Sequence, residues 1–404
     1  MCLDFFFACP AHGMAVETSP DFPMTDMINN LHYVDTPEAL EEIAEVFLNA
    51  DCIGVDLEAD SMFHFREKVC LIQMAVGDFI AVIDPLNIDD MGPIVPVFER
   101  PEIRKIFHGS DYDVRSLNRD FGITIRNLFD TELASRFLGI PETGLGSVMK
   151  QRFGVELDKT YQKKDWSKRP LTDGMIEYGA GDVIYLPRLA TILDRELEEK
   201  GRTSWVEEEC LLLSGVRHQD NGDAPLFTRV KGAGKLDRRS LAVLEELLQL
   251  RLTLSEKKDR PPFKVFSNAS LHTLAKEKPT TTGRLKACGA LSPRQAAAHG
   301  AQILKAIEKG VALPEEELPK YPRGKRPSFN PEIPKRMDAI KSYRDDMASR
   351  LALDPPILLN KALMTAIAVR NPDTVEELNS IDGLRQWQIS TLGQGIVRAL
   401  HPGS

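Results

Sequence analysis

A change of pattern at Gly201 limits the fold of this chain more than any other feature. From about residue 31 to 197, short apolar runs at 52–57, 69–76, 79–83 and 105–108 alternate with stretches of helical period. Beyond Gly201 the strand-like runs stop, and two stretches of helical period follow at about 235–310 and 335–402. Alternation of the first kind predicts layered α/β structure, and the later pattern predicts small helical modules. With 404 residues the chain is too long for one ordinary core, so two or three domains are expected. The pattern divides into an N-terminal extension (1–30), an α/β domain (31–205), a connector (206–234), a first helical domain (235–312), a linker (313–334) and a second helical domain (335–404). The linker assignment rests on its Pro, Gly and basic residues. The extension has little periodicity, and Met14, Met24 or Met27 would serve equally as a start.

Within the α/β stretch, Thr36 followed by Pro37 reads as a helix start, with Leu40, Ile43, Val46, Phe47 and Leu48 as its apolar residues. The next apolar run contains Asp56 and Glu58. Two residues apart on a strand, they share one face. Burying two like charges is unfavourable unless a cation neutralises them, and an all-oxygen site suits Mg2+ or Mn2+. Taken alone, the motif reads equally well as a strand end that projects both acids into solvent.

A second acidic element follows the run ending at His108, where a helix is expected from about Ser110. Asp111 suits the positive end of that helix. Asp113 lies further in, and Val114 and Leu117 mark the apolar face. A third element places Tyr178 and Asp182 four residues apart, on one helical face. Gly179 and Gly181 weaken that helix, which implies either a close approach to its backbone or simple tolerance. Pro187 is expected to bend or restart it, and Leu186, Leu189, Leu193 and Leu197 continue the core stripe.

In this order, on strand, helix and late helix, the three elements resemble the motifs of the DEDD superfamily of 3′→5′ exonucleases, in its tyrosine-bearing branch. Leu128-Phe129-Asp130-Thr131 and the run Lys159, Gln162, Asp165, Trp166, Arg169, Pro170, Leu171 resemble the ribonuclease D group in particular. The resemblance covers residues 31 to about 200. It implies a ribonuclease H-like α/β fold, a mixed sheet with flanking helices, and catalysis with two divalent ions, Mg2+ or Mn2+. In the implied roles, Asp56 bridges both ions, Glu58 and Asp182 hold the one that activates water, Asp113 supports the other, and Tyr178 orients the water.

Lys159, Gln162 and Arg169 are expected to touch the RNA backbone. His108 and His64 are candidates for substrate contact, with a structural role at the strand end the alternative for His108. Met62 and Phe63 are expected to stack on a base, unless Phe63 is core. Trp166 is read as a packing anchor, with stacking on a base the alternative.

The overall charge of −9 argues against a protein that coats nucleic acid by bulk electrostatics. The distribution is uneven, however. Residues 235–310 hold 15 Lys/Arg against 7 Asp/Glu, whereas residues 335–404 hold 9 against 8. The first helical stretch carries Leu244, Leu247, Leu248, Arg251, Pro261-Pro262 and Gly300, and the second Arg344, Leu351, Pro355-Pro356, Trp387 and Gly393. The two look like duplicated all-α HRDC domains, with Pro261-Pro262 matched to Pro355-Pro356 and Gly300 to Gly393. Leu250 departs from the family, which usually has Trp there. In that setting the basic excess of the first module reads as an RNA platform, with Lys257, Lys258, Arg260, Lys264 and Arg294 as contacts, a solvated basic face without a ligand being the alternative. The second module is expected to pack or to position substrate.

Six cysteines lack CxxC or Cys/His spacing, which argues against a zinc site or disulfide framework and for a reducing cytoplasm. The apolar run at 5–9 is too short for a membrane anchor. The expected protein is a monomeric exoribonuclease that takes RNA with a single-stranded 3′ end, transfer-RNA precursors being the substrate class the family implies. A DNA exonuclease and an RNA-binding protein with a relic nuclease fold are the competing readings. All four acids and the tyrosine are present, which weighs against the relic.

Overall fold

The computed structural model describes residues 30–218, 222, 224–322 and 330–402. The extension expected at 1–30, except Asn30, lies outside these residues, as do the alternative starts and linker residues 323–329. The chain forms two compact units. Among the described residues, the first takes in 30–59, 69–218 and 330–402, and the second takes in 60–68, 222 and 224–322.

The first unit is built on a six-stranded sheet of β1 (Leu31–Val34), β2 (Cys52–Ala59), β3 (Val69–Val76), β4 (Phe79–Ile83), β5 (Arg104–Phe107) and β6 (Leu128–Asp130), in the order β1-β4-β3-β2-β5-β6. β2-β3 and β3-β4 pair antiparallel, and β1-β4, β2-β5 and β5-β6 pair parallel. The strands alternate between two cores. Ile53, Val55 and Leu57 join Phe47, Phe98, Val114 and Leu117 on the face covered by α1 (Pro37–Leu48), α2 (Val95–Glu99) and α3 (Asp111–Phe121). Thr36 caps α1, its hydroxyl accepting the Ala39 N–H at 3.3 Å.

The other face is covered by α4 (Thr131–Leu138), α5 (Leu145–Phe153), α6 (Asp173–Val183), α7 (Leu186–Glu199) and α8 (Thr203–Ser214). Leu186, Leu189, Leu193 and Leu197 are fully buried. The chain breaks between α6 and α7, and Pro187 sits in the first turn of α7, where its missing N–H is harmless.

The C-terminal helices belong to this unit. They are α14 (Glu332–Leu351), α15 (Pro355–Leu358), α16 (Lys361–Arg370) and α17 (Gln386–Leu400). Trp387 stacks on Trp205 of α8 with centroids 4.7 Å apart and meets Phe137 edge-on at 5.2 Å. Its indole N–H donates to Glu209, and Glu208 accepts the backbone N–H groups of Gln386 and Trp387 at the start of α17. Arg202 donates to the carbonyls of Phe137 and Leu351.

The second unit contains α9 (Arg238–Lys258), α10 (Pro262–Val265), α11 (Asn268–Glu277), α12 (Thr282–Ala287) and α13 (Pro293–Ala312) around Leu244, Leu247, Leu271, Leu274 and Ile303. It repeats the design of α14–α17. Arg251 donates to the Phe266 carbonyl just after α10, and Arg344 to the Leu359 carbonyl just after α15. Asp259 and Ala352 both end the first long helix in the left-handed conformation, and Lys278 and Asn371 do the same for the next full helix. This alignment corrects the expected register by one residue. Pro262, not Pro261, opens the short helix that matches the one opened by Pro355.

Candidate active site

Alternation along β2 puts Gly54, Asp56 and Glu58 on the face covered by α6 and α7. Gly54 is what lets the helix come close. A Cβ built there would lie 2.7 Å from the Val183 carbonyl oxygen, at the end of α6. The backbone carrying Asp182 is thereby held beside Asp56. Gly179 allows a second close approach, since its Cβ would stand 2.9 Å from Nε2 of Gln73 on β3. Gly181 meets nothing within 4 Å, so the close-approach reading holds for one glycine of the pair.

Asp113 lies in the first turn of α3 and is 7% exposed. The preceding turn is tied down by Asp130, which accepts the N–H groups of Gly109 (3.0 Å) and Ser110 (2.7 Å) and the Ser110 hydroxyl (2.8 Å). The same carboxylate caps α4 by accepting from Glu132 and Leu133. The sequence motif around Asp130 thus has a physical role, which is to aim the helix that carries Asp113.

Burial raises all four carboxyls, and repulsion from neighbouring acids adds to it at Glu58, Asp113 and Asp182. Asp56 is pushed up to about 7, Asp182 to about 8 with Asp56 as the neighbouring charge, and Glu58 to about 9 by burial with Asp56, Asp182 and Asp113 nearby. Asp113 is raised well above the carboxylate range by burial and by Asp56. Tyr178 is also raised, by burial and by Asp182, Glu58 and Asp56, and so keeps its proton. Among the described residues no three His, Cys, Asp or Glu side chains are gathered tightly enough to grip one ion. The carboxylates feel one another without yet converging.

Asp56, Tyr178 and Asp182 open onto a pocket of about 260 Å³, lined also by His108, Gly144–Ser147, Leu157, Asp158, Lys159 and Gln162. His108 stands 2.9 Å from Thr131 Oγ1 through Nδ1, and the Thr131 hydroxyl donates onward to the Phe107 carbonyl. Nδ1 is therefore the donor. Burial holds the ring below its usual pKa, against the pull of Asp130, Glu132 and a hydrogen bond with the Thr143 backbone. Lys159 and Gln162 are exposed at the rim.

Arg169 is a correction. Its guanidinium forms a two-pronged pair with the fully buried Asp84, Nη2 to Oδ1 at 2.6 Å, and also donates to the carbonyls of Cys70, Trp166 and Lys168. A side chain so engaged supports the fold, and it is not among the residues that line the pocket. Trp166, 1% exposed and 5.9 Å from the Tyr178 ring, is the packing anchor that the sequence suggested.

Met62, Phe63 and His64 fall in the second unit. Met62 is 53% exposed. His64 Nδ1 stands 2.6 Å from Asp259 Oδ2, and Lys264 Nζ lies 4.5 Å from the centre of the Phe63 ring. Lys257, Arg260 and Arg294 are exposed, and Lys258 meets His299 at 2.7 Å. Sequence reasoning missed Gln73 and Gly54. The signal for Gln73 was available, since it is the one amide in the apolar run of β3.

Acids from strand and helix around an open pocket, followed by duplicated helical modules, define a 3′→5′ exonuclease with two HRDC domains. The chain accordingly matches the 3′-5′ exonuclease family model over residues 31–198 and the HRDC domain model over 240–307 and 334–400. It is 30% identical to ribonuclease D of Escherichia coli (strain K12) over 337 residues, 82% of this chain and 88% of that protein. The crystal structure of Escherichia coli RNase D superposes with a TM-score of 0.72 at 26% identity, covering 93% of this chain and 99% of that one. The catalytic core of RRP6 from Trypanosoma brucei gives a TM-score of 0.61 at 30% identity, covering 70% and 80%.

The chain belongs to the ribonuclease D family. It is a 3′→5′ exoribonuclease, a hydrolase of a family in which metal dependence is typical. Relatives of this family act on RNA. Among the described residues no helix is long and apolar enough to cross a membrane.

Proposed function

We propose that the chain removes nucleoside 5′-monophosphates one at a time from the single-stranded 3′ end of structured RNA, including transfer-RNA precursors. The structured substrate is carried over from the Escherichia coli enzyme, which is described as an exoribonuclease involved in structured RNA processing. In this reading residues 31–205 are the catalytic domain and residues 235–312 and 335–404 the HRDC domains, joined by 206–234 and 313–334. The protein works as a monomer in the cytoplasm. Its described cysteines form no disulfide, and three of the four are buried, as a reducing compartment allows.

The observation that carries the reading is that Asp56, Tyr178 and Asp182 line one pocket, with Glu58 and Asp113 within electrostatic reach of Asp56. The residues fit a hard divalent cation. Every donor is oxygen, and the carboxyls resist ionisation together, so a positive charge among them is favourable. Two ions, Mg2+ or Mn2+, would be held by Asp56, Glu58, Asp113 and Asp182, and would supply an activated water and charge neutralisation at phosphorus and at the leaving oxygen.

Tyr178 retains its phenolic hydrogen and orients the attacking water by hydrogen bonding without acting as its base. The water oxygen bonds to phosphorus as the P–O3′ bond breaks, the phosphate leaves with the terminal nucleotide, and O3′ of the shortened strand takes up a proton to become a 3′-hydroxyl. Lys159 and Gln162 hold the backbone at the pocket rim, and His108, which also lines the pocket, contacts the terminal nucleotide. Lys257, Lys258, Arg260, Lys264 and Arg294 form the RNA platform.

Single-nucleotide release from 5′-labelled RNA in Mg2+ or Mn2+, run beside matched DNA, tests the proposal. Asp56→Ala and Asp182→Ala are expected to lose at least 100-fold in kcat. Full activity in either variant would remove it from the metal set, and equal cleavage of DNA would favour the DNA-exonuclease reading.

A further inference from the structure

Gln73 is the least explained side chain in the molecule. It is fully buried in β3, and neither its Oε1 nor its Nε2 has a hydrogen-bond partner. Proteins avoid such a group, because a buried amide gives up its bonds to water and gains nothing in return. Leucine or methionine would fill the same space without that penalty. A polar residue in such a place points to a use.

Its position supplies one. Gln73 is the register partner of Asp56 across the β2-β3 pair. Directly opposed residues project from the same face, with Cβ atoms about 4.5–5.5 Å apart. From the helix side, the missing Cβ of Gly179 leaves room for Nε2 and Cγ of Gln73, which would otherwise stand 2.9 and 3.3 Å from it. The carboxamide thus packs against α6 at Gly179, which is one residue along the chain from Tyr178 and three from Asp182, and it does so from the strand position opposite Asp56. It is absent from the pocket lining, so it does not meet substrate.

The Asp56 carboxylate takes a hydrogen bond from the Leu57 backbone N–H. Two carboxylate oxygens have acceptor sites beyond that one. Carboxylates that hold metals are usually fixed by outer hydrogen bonds, and removing such a partner weakens metal binding or activity 10–100-fold.

We infer that Gln73 is a positioning residue, which gives its amide N–H to the Asp56 carboxylate when that carboxylate takes up a divalent cation. The inference rests on the metal-binding role proposed for Asp56. Gly179 is then part of the same device, because any larger residue would push the carboxamide away from α6.

The test is Gln73→Leu in the full-length protein, with Gln73→Met as a second, more flexible replacement if Leu packs badly. Melting is followed in EDTA and across a Mn2+ titration, and single-nucleotide release gives kcat and KM. The expected result is a metal-free Tm equal to or above that of the parent, with half-saturating Mn2+ raised roughly 10–100-fold and KM for RNA unchanged. A merely structural glutamine would lower the metal-free Tm and leave the Mn2+ titration where it was, which overturns the inference. Parental Mn2+ dependence in a stable variant overturns it as well. Asp56→Asn separates the two levels. If it binds Mn2+ like the parent, the metal-site reading itself fails; if it loses Mn2+ while Gln73→Leu keeps it, only the role of Gln73 falls.

Discussion

At the scale of single residues, the four acids proposed to hold metal stand out because they break a rule. A core strand reading Val-Asp-Leu-Glu calls for a compensating charge, and the structure places Asp56 and Glu58 within the field of Asp113 and Asp182. Their raised pKa values set a pH dependence. Without metal, the folded protein keeps protons on Asp56, Asp182 and Glu58 up to about 7, 8 and 9, whereas the unfolded chain releases them near pH 4. The folded form therefore binds more protons between those limits, and metal-free stability falls as pH rises from about 4 towards 9. Divalent ions bind the deprotonated acids, so the increase in Tm from Mn2+ over EDTA is expected to be larger at pH 8 than at pH 6. Melting curves at the two pH values check this, and an equal or smaller increase at pH 8 would remove these acids from the metal site. Arg169 was misread for the opposite reason. Its sequence surroundings are polar and basic, but its partner Asp84 lies 85 residues away, and nothing local announces that pairing.

At the scale of elements, the alternation of strands and helices was readable from periodicity, and so was the restart of the helix at Pro187. The closeness of α6 to the sheet was not. It depends on which glycines face a neighbour, and a single chain shows only that glycines are present. Gly54, Gly179 and Gly181 now separate physically, and alanine substitution should distinguish them. Gly54→Ala drives a methyl against the Val183 carbonyl, a backbone atom that moves only if the start of α7 or the end of α6 moves too. Overpacking of this kind costs about 1–3 kcal/mol, and here the displacement falls on Asp182, so kcat should drop by more than stability explains. Gly181→Ala meets nothing within 4 Å on a helix with negative φ and should gain up to about 1 kcal/mol with activity kept. Urea melts and kcat on a short RNA measure both; a harmless Gly54→Ala would show that the helix is not seated by that contact.

Across the whole molecule, the duplication of the helical modules was visible in the sequence, and so was the difference in their charge. Less visible was how the second module is held. Trp387 reads locally as one apolar residue of an amphipathic helix, but it is buried against Trp205 and Phe137, with Glu208 and Glu209 taking the N–H groups at the helix start. A near-neutral surface suits that packing role. The first module keeps its basic excess, although part of it is used internally: Lys278 pairs with Asp237, Lys309 with Glu246, and Arg238 and Arg239 with Glu315. Lys257, Arg260 and Arg294 remain exposed. Phosphate contacts release counterions, so each one adds to the salt dependence of binding, by about 0.7 in the log–log slope for a single strand. Replacing all three with alanine should weaken binding to structured RNA and flatten that slope by about 2. Cleavage of a short single-stranded RNA at low salt should keep its kcat, because none of the three lines the catalytic pocket. Affinity lost without a change of slope would mean that these side chains support the module without touching phosphate, and an equal loss on short strands would mean that they act on the catalytic step.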